Sequence, residues 1–98
     1  MAIRHNLYEG GLVHSLGFYS DGTDQTLGVV SPGAESDFGE AKREETITVL
    51  DGGLRVNGQW YKKGETVVIP RGHRIMIMAE KASACRCVHG PPEGESHV

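Results

Sequence analysis

The chain has 98 residues, enough for one domain with one core, and its 38% hydrophobic and 23% charged residues are typical of a globular protein. The net charge of −3 at pH 7 excludes a strongly basic surface of the kind that binds nucleic acids or anionic membranes. The sequence has no apolar run long enough for a transmembrane helix and no signal peptide, so we expect a cytoplasmic protein.

Short apolar runs separated by turn residues predict an all-β domain. Asn57-Gly58 favours a type I′ turn, because both central residues of that turn need a positive φ, and predicts a hairpin over Leu54–Tyr61. Residues 40–45, EAKREE, are predicted to form a solvated loop. The predicted strands, in chain order, are Gly11–Phe18, Thr26–Val30, Thr46–Leu50, Leu54–Val56, Gln59–Tyr61, Thr66–Ile69, Ile75–Met78 and Ala84–Val88.

The last ten residues are predicted to lie outside the folded domain. From His89 onwards the sequence contains two prolines, two glycines and acidic residues with nothing to bury, so residues 1–88 are expected to form the domain and residues 89–98 a disordered tail. Cys85 and Cys87 lie two apart in a predicted strand, where their side chains share a face but diverge poorly for a disulfide bond. We therefore expect both cysteines to be reduced and buried.

The segment Gly64–Ile77 resembles half of a cupin metal site. The second cupin motif is Gly, five residues, Pro, one residue, Gly, two residues and a histidine ligand, and Gly64, Pro70 and Gly72 fit it, but Ile75 occupies the ligand position. His73 lies two residues too early and is expected at the rim of the barrel.

The first cupin motif is also incomplete. It ends in a Glu, six residues and a Gly, which Glu45 and Gly52 match, but its two histidines are missing from Phe38–Ala41. A cupin metal site needs three imidazoles and a carboxylate, so we expect no metal and no other cofactor. Glu45 should be half buried, where a carboxylate needs a partner. It either pairs with an arginine for stability or is a functional acceptor.

The N-terminal pattern Asn-x-Tyr-x-x-Gly-x-Val-x-Ser-x-Gly-Phe, residues 6–18, resembles the start of the pyrimidine/purine nucleoside phosphorylases, which are small single-domain cupins with an RmlC-like β-barrel or jelly roll. The resemblance covers nearly the whole chain up to the tail. It continues through Gly28–Val30, Gly33, Glu45, Thr48–Val56, Trp60, Gly64, Val68–Pro70 and Cys85-Arg86. The chain departs from the family at Ile75, usually an aromatic residue, at Cys87, usually a tyrosine, and in the segment between Gly33 and Glu45.

The resemblance implies a metal-independent homodimer that cleaves many nucleosides with inorganic phosphate, giving a free base and a pentose 1-phosphate. Such a site must hold phosphate beside C1′. An arginine suits this task because its guanidinium donates two hydrogen bonds at once. Arg86 is the first candidate, if its face of the strand lines the interior near Glu45. Otherwise it points outward, or it only neutralises Glu45.

The remaining candidates have weaker signals. Glu45 is expected to accept from ribose hydroxyls or to stabilise the oxocarbenium ion. His73 and Arg74 at the rim, with Ser36 and Phe38, are predicted to bind substrate.

Other classes stay open from sequence alone: a non-catalytic cupin that binds a small ligand, a metal-dependent cupin enzyme, and a structural dimer module. An N-terminal strand containing Leu7, Tyr8, Leu12 and Val13 either pairs across a two-fold axis or closes its own sheet.

Overall fold

The structure is a computed structural model that describes residues 2–8, 13–19, 24–33 and 35–90, with the backbone alone at residues 2, 3, 18 and 19. No helix occurs among these residues, so none of them forms a helix that could cross a membrane. The predicted all-β class is confirmed. The strands are β1 (Ala2–Tyr8), β2 (Val13–Tyr19), β3 (Asp24–Val30), β4 (Glu35–Glu40), β5 (Glu45–Asp51), β6 (Gly53–Val56), β7 (Gln59–Lys62), β8 (Thr66–Ile69), β9 (Arg74–Ala79) and β10 (Ser83–His89).

The strands form two antiparallel sheets. One sheet has six strands in the order β1-β2-β3-β10-β5-β8, and the other has four in the order β4-β9-β6-β7. Successive side chains of a strand point to opposite faces, so each sheet has an inner face toward the other sheet and an outer face.

The hydrophobic core lies between the inner faces. Ile47 and Val49 of β5 meet Leu54 and Val56 of β6, and each of these four side chains is at most 2% exposed. Because members of the core come from both sheets, the two sheets form one structural unit. The buried apolar residues are Val13, Val30, Ala41, Ile47, Val49, Leu54, Val56, Ile69, Ile75, Ile77, Ala79 and Cys85.

The predicted hairpin over Leu54–Tyr61 is confirmed. Asn57 and Gly58 have φ angles of 50° and 85°, and β6 pairs with β7 directly across this two-residue loop. The Asn57 side chain also accepts a hydrogen bond from Met76 N at 2.9 Å and donates one to Arg74 O at 2.7 Å. The turn is therefore held against β9.

Gly52 lies where the chain leaves the six-stranded sheet and enters the four-stranded one. Its φ is +72°, and a Cβ at this position would lie 2.3 Å from Ser83 Oγ and 2.8 Å from Ala82 O. The Ser83 hydroxyl accepts a hydrogen bond from Gly53 N at 3.0 Å. Both the backbone angle and the close approach of β10 therefore require glycine.

The sequence did not predict β4, and it did not predict β1 as a strand separate from β2. Asn6 and Tyr8 of β1 face the space between the sheets, so the strand lacks the apolar alternation of a half-buried strand. β4 is acidic, its one fully buried side chain is Ser36, and its pairing with β9 is irregular between Asp37 and Glu40.

The predicted N-terminal strand is divided into two strands that pair within one sheet, with Leu7 and Tyr8 of β1 opposite His14 and Val13 of β2. Pairing of the edge strand β1 across a two-fold axis stays a prediction. Leu12 lies outside the described residues.

At the other end, β10 continues one residue past the predicted domain boundary, to His89. Gly90 N then donates to Glu44 O at 2.8 Å, so the chain is still hydrogen-bonded there. The rest of the predicted tail, residues 91–98, lies outside the described residues. The connection between β4 and β5, residues 41–44, contains no helix or strand, as predicted, but Glu40 and Glu45 belong to the strands and Ala41 is buried in the core.

Candidate functional site

A pocket of about 280 Å³ opens between the two sheets beside the core. Its wall is mostly apolar with a few polar groups, which is how small-molecule sites are usually built. The six-stranded sheet contributes most of the wall, and β4 and β9 contribute the rest. The lining residues are Asn6, Tyr8, Val13, Ser15, Thr26, Gly28, Val30, Phe38, Glu45, Ile75, Ile77, Cys85, Cys87 and His89.

Glu45, His89 and Thr26 form a hydrogen-bonded chain in this wall. Glu45 and His89 lie opposite each other on β5 and β10, and His89 Nδ1 is 3.1 Å from Glu45 Oε1. On the other side of the ring, His89 Nε2 is 3.4 Å from Thr26 Oγ1 on β3. The imidazole therefore connects a carboxylate to a hydroxyl. Glu45 is partly buried, as expected, but its partner is a histidine and not an arginine.

Arg43 fixes the backbone around His89. Its guanidinium donates to Gly90 O at 3.1 Å and forms an ion pair with Asp24. Asp24 in turn lies opposite His89 in the pairing of β3 with β10. The chain on both sides of the imidazole is thereby held in place.

Two aromatic rings form another part of the pocket wall. Tyr8 of β1 meets Phe38 of β4 in an edge-to-face contact with ring centroids 5.1 Å apart. This contact joins the edge strands of the two sheets. Phe38, predicted to bind substrate, thus lies in the pocket, where a flat ligand could stack against it.

The thiols of Cys85 and Cys87 also line the pocket. Both are free, as expected from their spacing, but only Cys85 is fully buried, and Cys87 is partly exposed. A hydrogen bond from the Cys87 thiol lowers the pKa of Cys85, and the same bond, with burial, raises the pKa of Cys87 far above its ordinary value. Cys87 therefore keeps its proton and presents a neutral group to the pocket.

Arg86 points away from the pocket, on the outer face of the six-stranded sheet. Its Nε and one terminal nitrogen donate to Gln25 Oε1 at 3.1 and 2.9 Å. The sequence analysis placed Arg86 near Glu45 on the condition that its face of β10 is the inner one. The structure corrects this expectation, because Cys85 and Cys87 occupy the inner face. A catalytic role for Arg86 stays a prediction.

His73, Arg74 and Ser36 do not belong to the pocket wall. His73 is exposed in a turn, where its carbonyl accepts from Ala41 N at 2.8 Å. Arg74 forms an ion pair with Asp37 on the outer face of the four-stranded sheet. The hydroxyl of Ser36 is buried without a hydrogen-bond partner among the described residues. The substrate-binding roles of these three residues stay predictions.

Sequence reasoning missed His89 because a Gly-Pro-Pro segment follows it at once and suggested a tail. The signal that could have found it is the period of two in Cys85-x-Cys87-x-His89, which continues the inner face of β10 to its last residue. Thr26 was missed because it was treated only as the first residue of a strand.

The pocket wall contains four residues of types that bind metals, namely Glu45, Cys85, Cys87 and His89. Among the described residues, no three His, Cys, Asp or Glu side chains are grouped so as to hold a metal ion. Ile75, at the position of the cupin histidine ligand, contributes an apolar side chain to the wall. Ile75 and Cys87, two positions at which the chain departs from the family it resembles, both lie in this wall.

Two antiparallel sheets with a small pocket between them define a cupin-like β-domain, and comparison with solved structures gives the same class. An RmlC-like cupin protein from Ralstonia eutropha superposes with a TM-score of 0.73 at 14% identity, covering 91% of this chain and 64% of that one. At this identity the likeness shows the fold alone, and the predicted cupin class is confirmed.

The sequence comparisons identify the family. The family model for pyrimidine/purine nucleoside phosphorylase matches residues 3–89. A protein of that name from Magnetococcus marinus is 34% identical over 94 residues, which cover 90% of this chain and 99% of the relative. The crystal structure of a Vibrio parahaemolyticus protein of unknown function superposes with a TM-score of 0.76 at 32% identity, covering 90% of this chain and 98% of that one. This chain belongs to the pyrimidine/purine nucleoside phosphorylase family, as its N-terminal pattern suggested.

Proposed function

We propose that this chain is a cytoplasmic nucleoside phosphorylase of broad specificity. It is a pentosyltransferase that converts a purine or pyrimidine nucleoside and inorganic phosphate into a free base and a pentose 1-phosphate. The observation that carries the proposal is the family match over residues 3–89. The free thiols of Cys85 and Cys87 agree with a reducing compartment.

The reaction transfers a pentosyl group from nitrogen to oxygen. The bond between C1′ and the base breaks with its electron pair on the base, and a phosphate oxygen forms a new bond to C1′. The proton of hydrogen phosphate ends on the base, so the overall reaction is balanced. A sugar cation develops between the two partners, and Glu45 in the pocket wall offers a carboxylate to stabilise it or to accept from ribose hydroxyls.

The pocket has the size and the surfaces for one nucleoside. Its volume of about 280 Å³ lies near the lower end of small-ligand sites, roughly 300 Å³, which favours a nucleoside over an oligonucleotide. Tyr8 and Phe38 offer aromatic rings to a base, and every base has a π-face, so stacking on them tolerates both purines and pyrimidines. Broad specificity follows from recognition of this kind.

The test is a mixture of purine and pyrimidine nucleosides incubated with the purified protein, with and without inorganic phosphate. We expect release of several free bases that depends on phosphate, with pentose 1-phosphate formed in equal amount. Binding of nucleosides without base release would instead make the chain a non-catalytic ligand-binding cupin.

The proposed reaction needs no metal ion, since the chemistry is an electrostatically assisted displacement for which the wall offers its own polar groups. Treatment with a chelator followed by elemental analysis tests this part. We expect metal-free protein to keep its full rate. A loss of activity that is restored by iron, manganese or zinc would make it a metal-dependent enzyme.

The proposal includes a homodimer that forms through the outer face of the six-stranded sheet. An antiparallel sheet with one buried face normally carries polar residues on the other. Here five aliphatic side chains on four strands of that face, β2, β3, β5 and β8, are 38–52% exposed. These residues, the apolar outer face, are Leu16, Leu27, Val29, Leu50 and Val68.

A second copy of this chain fits the apolar outer face for two reasons. First, apart from Asp51 at the bulge that ends β5, Arg86 alone carries a formal charge among the described side chains of that face on β2, β3, β10, β5 and β8, and interface centres are depleted of charge. Second, the area of the face suits an interface. Six strands about 4.8 Å apart and about 20 Å long have a projected area of roughly 500 Å², and the corrugation of the side chains brings the accessible area near the roughly 800 Å² per partner of a standard interface.

Sedimentation at micromolar concentration is expected to give a species with twice the chain mass of 10.6 kDa. A species of 10.6 kDa would refute the dimer.

A further inference from the structure

We propose that His89 and Thr26 hold the phosphate of the reaction and that Glu45 positions the imidazole for this task. The inference rests on the proposed function and assigns a phosphate subsite within the same pocket. Three observations carry it: the charges available in the wall, the orientation of the ring and the distance between the two donors.

Phosphate is an anion and needs a positive partner. Among the described residues that line the pocket, His89 alone can become a cation. None of the six arginines in the described chain lines the pocket. Four of them have named partners: Arg43 with Asp24, Arg55 with Glu35, Arg74 with Asp37 and Arg86 with Gln25. The imidazolium is therefore the group in this wall that can balance the charge of phosphate.

Glu45 fixes which nitrogen of His89 faces the ligand. Because Nδ1 is bound to Glu45 Oε1 at 3.1 Å, the Nε2–H bond points away from Glu45 and toward Thr26. A carboxylate behind an imidazole orients the ring and stabilises its protonated form. The negative charge of Glu45 also lies across the ring from the proposed phosphate, which reduces their repulsion.

The separation of the two donors suits an anion. His89 Nε2 and Thr26 Oγ1 are 3.4 Å apart, which is long for a direct hydrogen bond. One phosphate oxygen could accept from both groups, at a shorter distance from each than they now have from one another. Charge-assisted hydrogen bonds of this kind are about twice as strong as neutral ones.

The groups around His89 leave its positive charge available to an anion. The charged and titratable groups packed around His89 are Glu45 on β5, Asp24 on β3, Arg43 in the loop between β4 and β5, and Cys87 on β10. Asp24 and Arg43 neutralise each other, and Cys87 stays protonated because its pKa is raised. The imidazolium of His89 is therefore the group of this cluster that can attract a phosphate anion.

Binding of inorganic phosphate to the full chain, measured by calorimetry without nucleoside, tests the subsite independently of turnover. We expect His89→Gln to raise the dissociation constant by about 10- to 100-fold, which is the loss of one charge-assisted hydrogen bond. Thr26→Val, which keeps the shape of the side chain, should raise it by about tenfold. Glu45→Gln should have a smaller effect, because the amide oxygen can still accept from Nδ1.

Two controls separate this site from other cations. His14→Gln changes an exposed histidine on the outer face and should leave phosphate binding unchanged. Arg86→Gln tests the arginine that the sequence favoured. If Arg86→Gln weakens phosphate binding and His89→Gln does not, the inference is wrong. Wild-type protein that binds no phosphate at millimolar concentration would also overturn it.

The outcomes distinguish the subsite from the proposed function. Base release by a wild-type enzyme whose His89→Gln variant binds phosphate normally would refute the subsite and leave the reaction standing. The expected losses of phosphate binding without any base release by the wild type would refute the reaction and leave an anion site. If His89→Gln fails to fold, Thr26→Val decides the question, because isosteric removal of one hydroxyl leaves the strand intact.

Discussion

The outer faces of the two sheets differ sharply in chemistry. On the four-stranded sheet, Arg74 pairs with Asp37 and Arg55 with Glu35, and the Arg55 guanidinium also lies 5.8 Å from the centroid of the Trp60 ring. On the six-stranded sheet the corresponding surface is the apolar outer face.

This difference indicates which of the two outer faces needs to be covered by another protein surface. Charged side chains that pair with one another on a sheet surface are well solvated and need no further cover. Exposed leucines and valines on neighbouring strands gain free energy only when another surface removes them from water, at about 25 cal/mol per Å². We therefore expect the outer face of the four-stranded sheet to stay exposed to solvent and the outer face of the six-stranded sheet to contact a partner.

The largest expected effect comes from a charge in the middle of the apolar outer face. Leu27 lies on β3, next to the centre of the six-stranded sheet. In a two-fold dimer Leu27→Lys places two like charges in one interface, which costs several kcal/mol and should raise the dimer dissociation constant by about a thousandfold. Sedimentation over a range of concentrations measures the shift.

Met76→Lys is the matched control, because it puts the same charge in place of a partly exposed apolar side chain on the other outer face. It should sediment as the wild type does. Equal effects of the two lysines would show that the sheets do not differ in the way we infer.

The same contrast explains why the sequence could not orient β10. Alternation places Cys85 and Cys87 on one face and Arg86 on the other, and this much could be read from the sequence. The inner face is recognised when it alone is apolar. Here Arg86 lies among leucines and valines of neighbouring strands, so both faces of the sheet look buried, and the sequence left the direction of Arg86 open.

The second largest expected effect is on stability, and it comes from Gly52, where the chain passes from one sheet to the other. Gly52→Ala would force a Cβ to 2.3 Å from Ser83 Oγ at a φ of +72°. Backbone strain and overpacking together should lower the free energy of unfolding by about 3 kcal/mol. Urea denaturation measures this loss, and since the core spans both sheets, fluorescence and circular dichroism should report one common transition.

Gly64→Ala provides the comparison, since its φ is +89° but no atom lies within 4 Å of the added Cβ. It should cost only the backbone term, about 1 kcal/mol. If both substitutions cost the same, crowding against Ser83 contributes nothing.

The sequence predicts those parts of the fold in which polar residues mark turns and apolar residues mark the core, but not the parts in which polar residues line the pocket. The Asn57-Gly58 turn and the apolar strands were predicted because local chemistry determines them. β1 was not predicted as a separate strand because Asn6 and Tyr8 occupy inner positions that face a pocket instead of the core. The pairing of Glu45 with His89 joins residues 44 positions apart, and only the order of strands in the sheet brings them together.

The smallest expected effect is on the ion-paired outer face. Hydrogen bonds from Arg74, and then from Gly39 N, lower the pKa of Asp37. A carboxyl whose pKa is lowered by folding stabilises the protein at pH values above the ordinary range of Asp and loses that contribution as pH falls through about 4 and below. Arg74→Gln should therefore reduce the urea midpoint slightly at pH 7 and not at pH 2, since both side chains are exposed and solvent screens the pair. A loss at pH 7 as large as that of Gly52→Ala would mean that this face, too, depends on its surface contacts for stability.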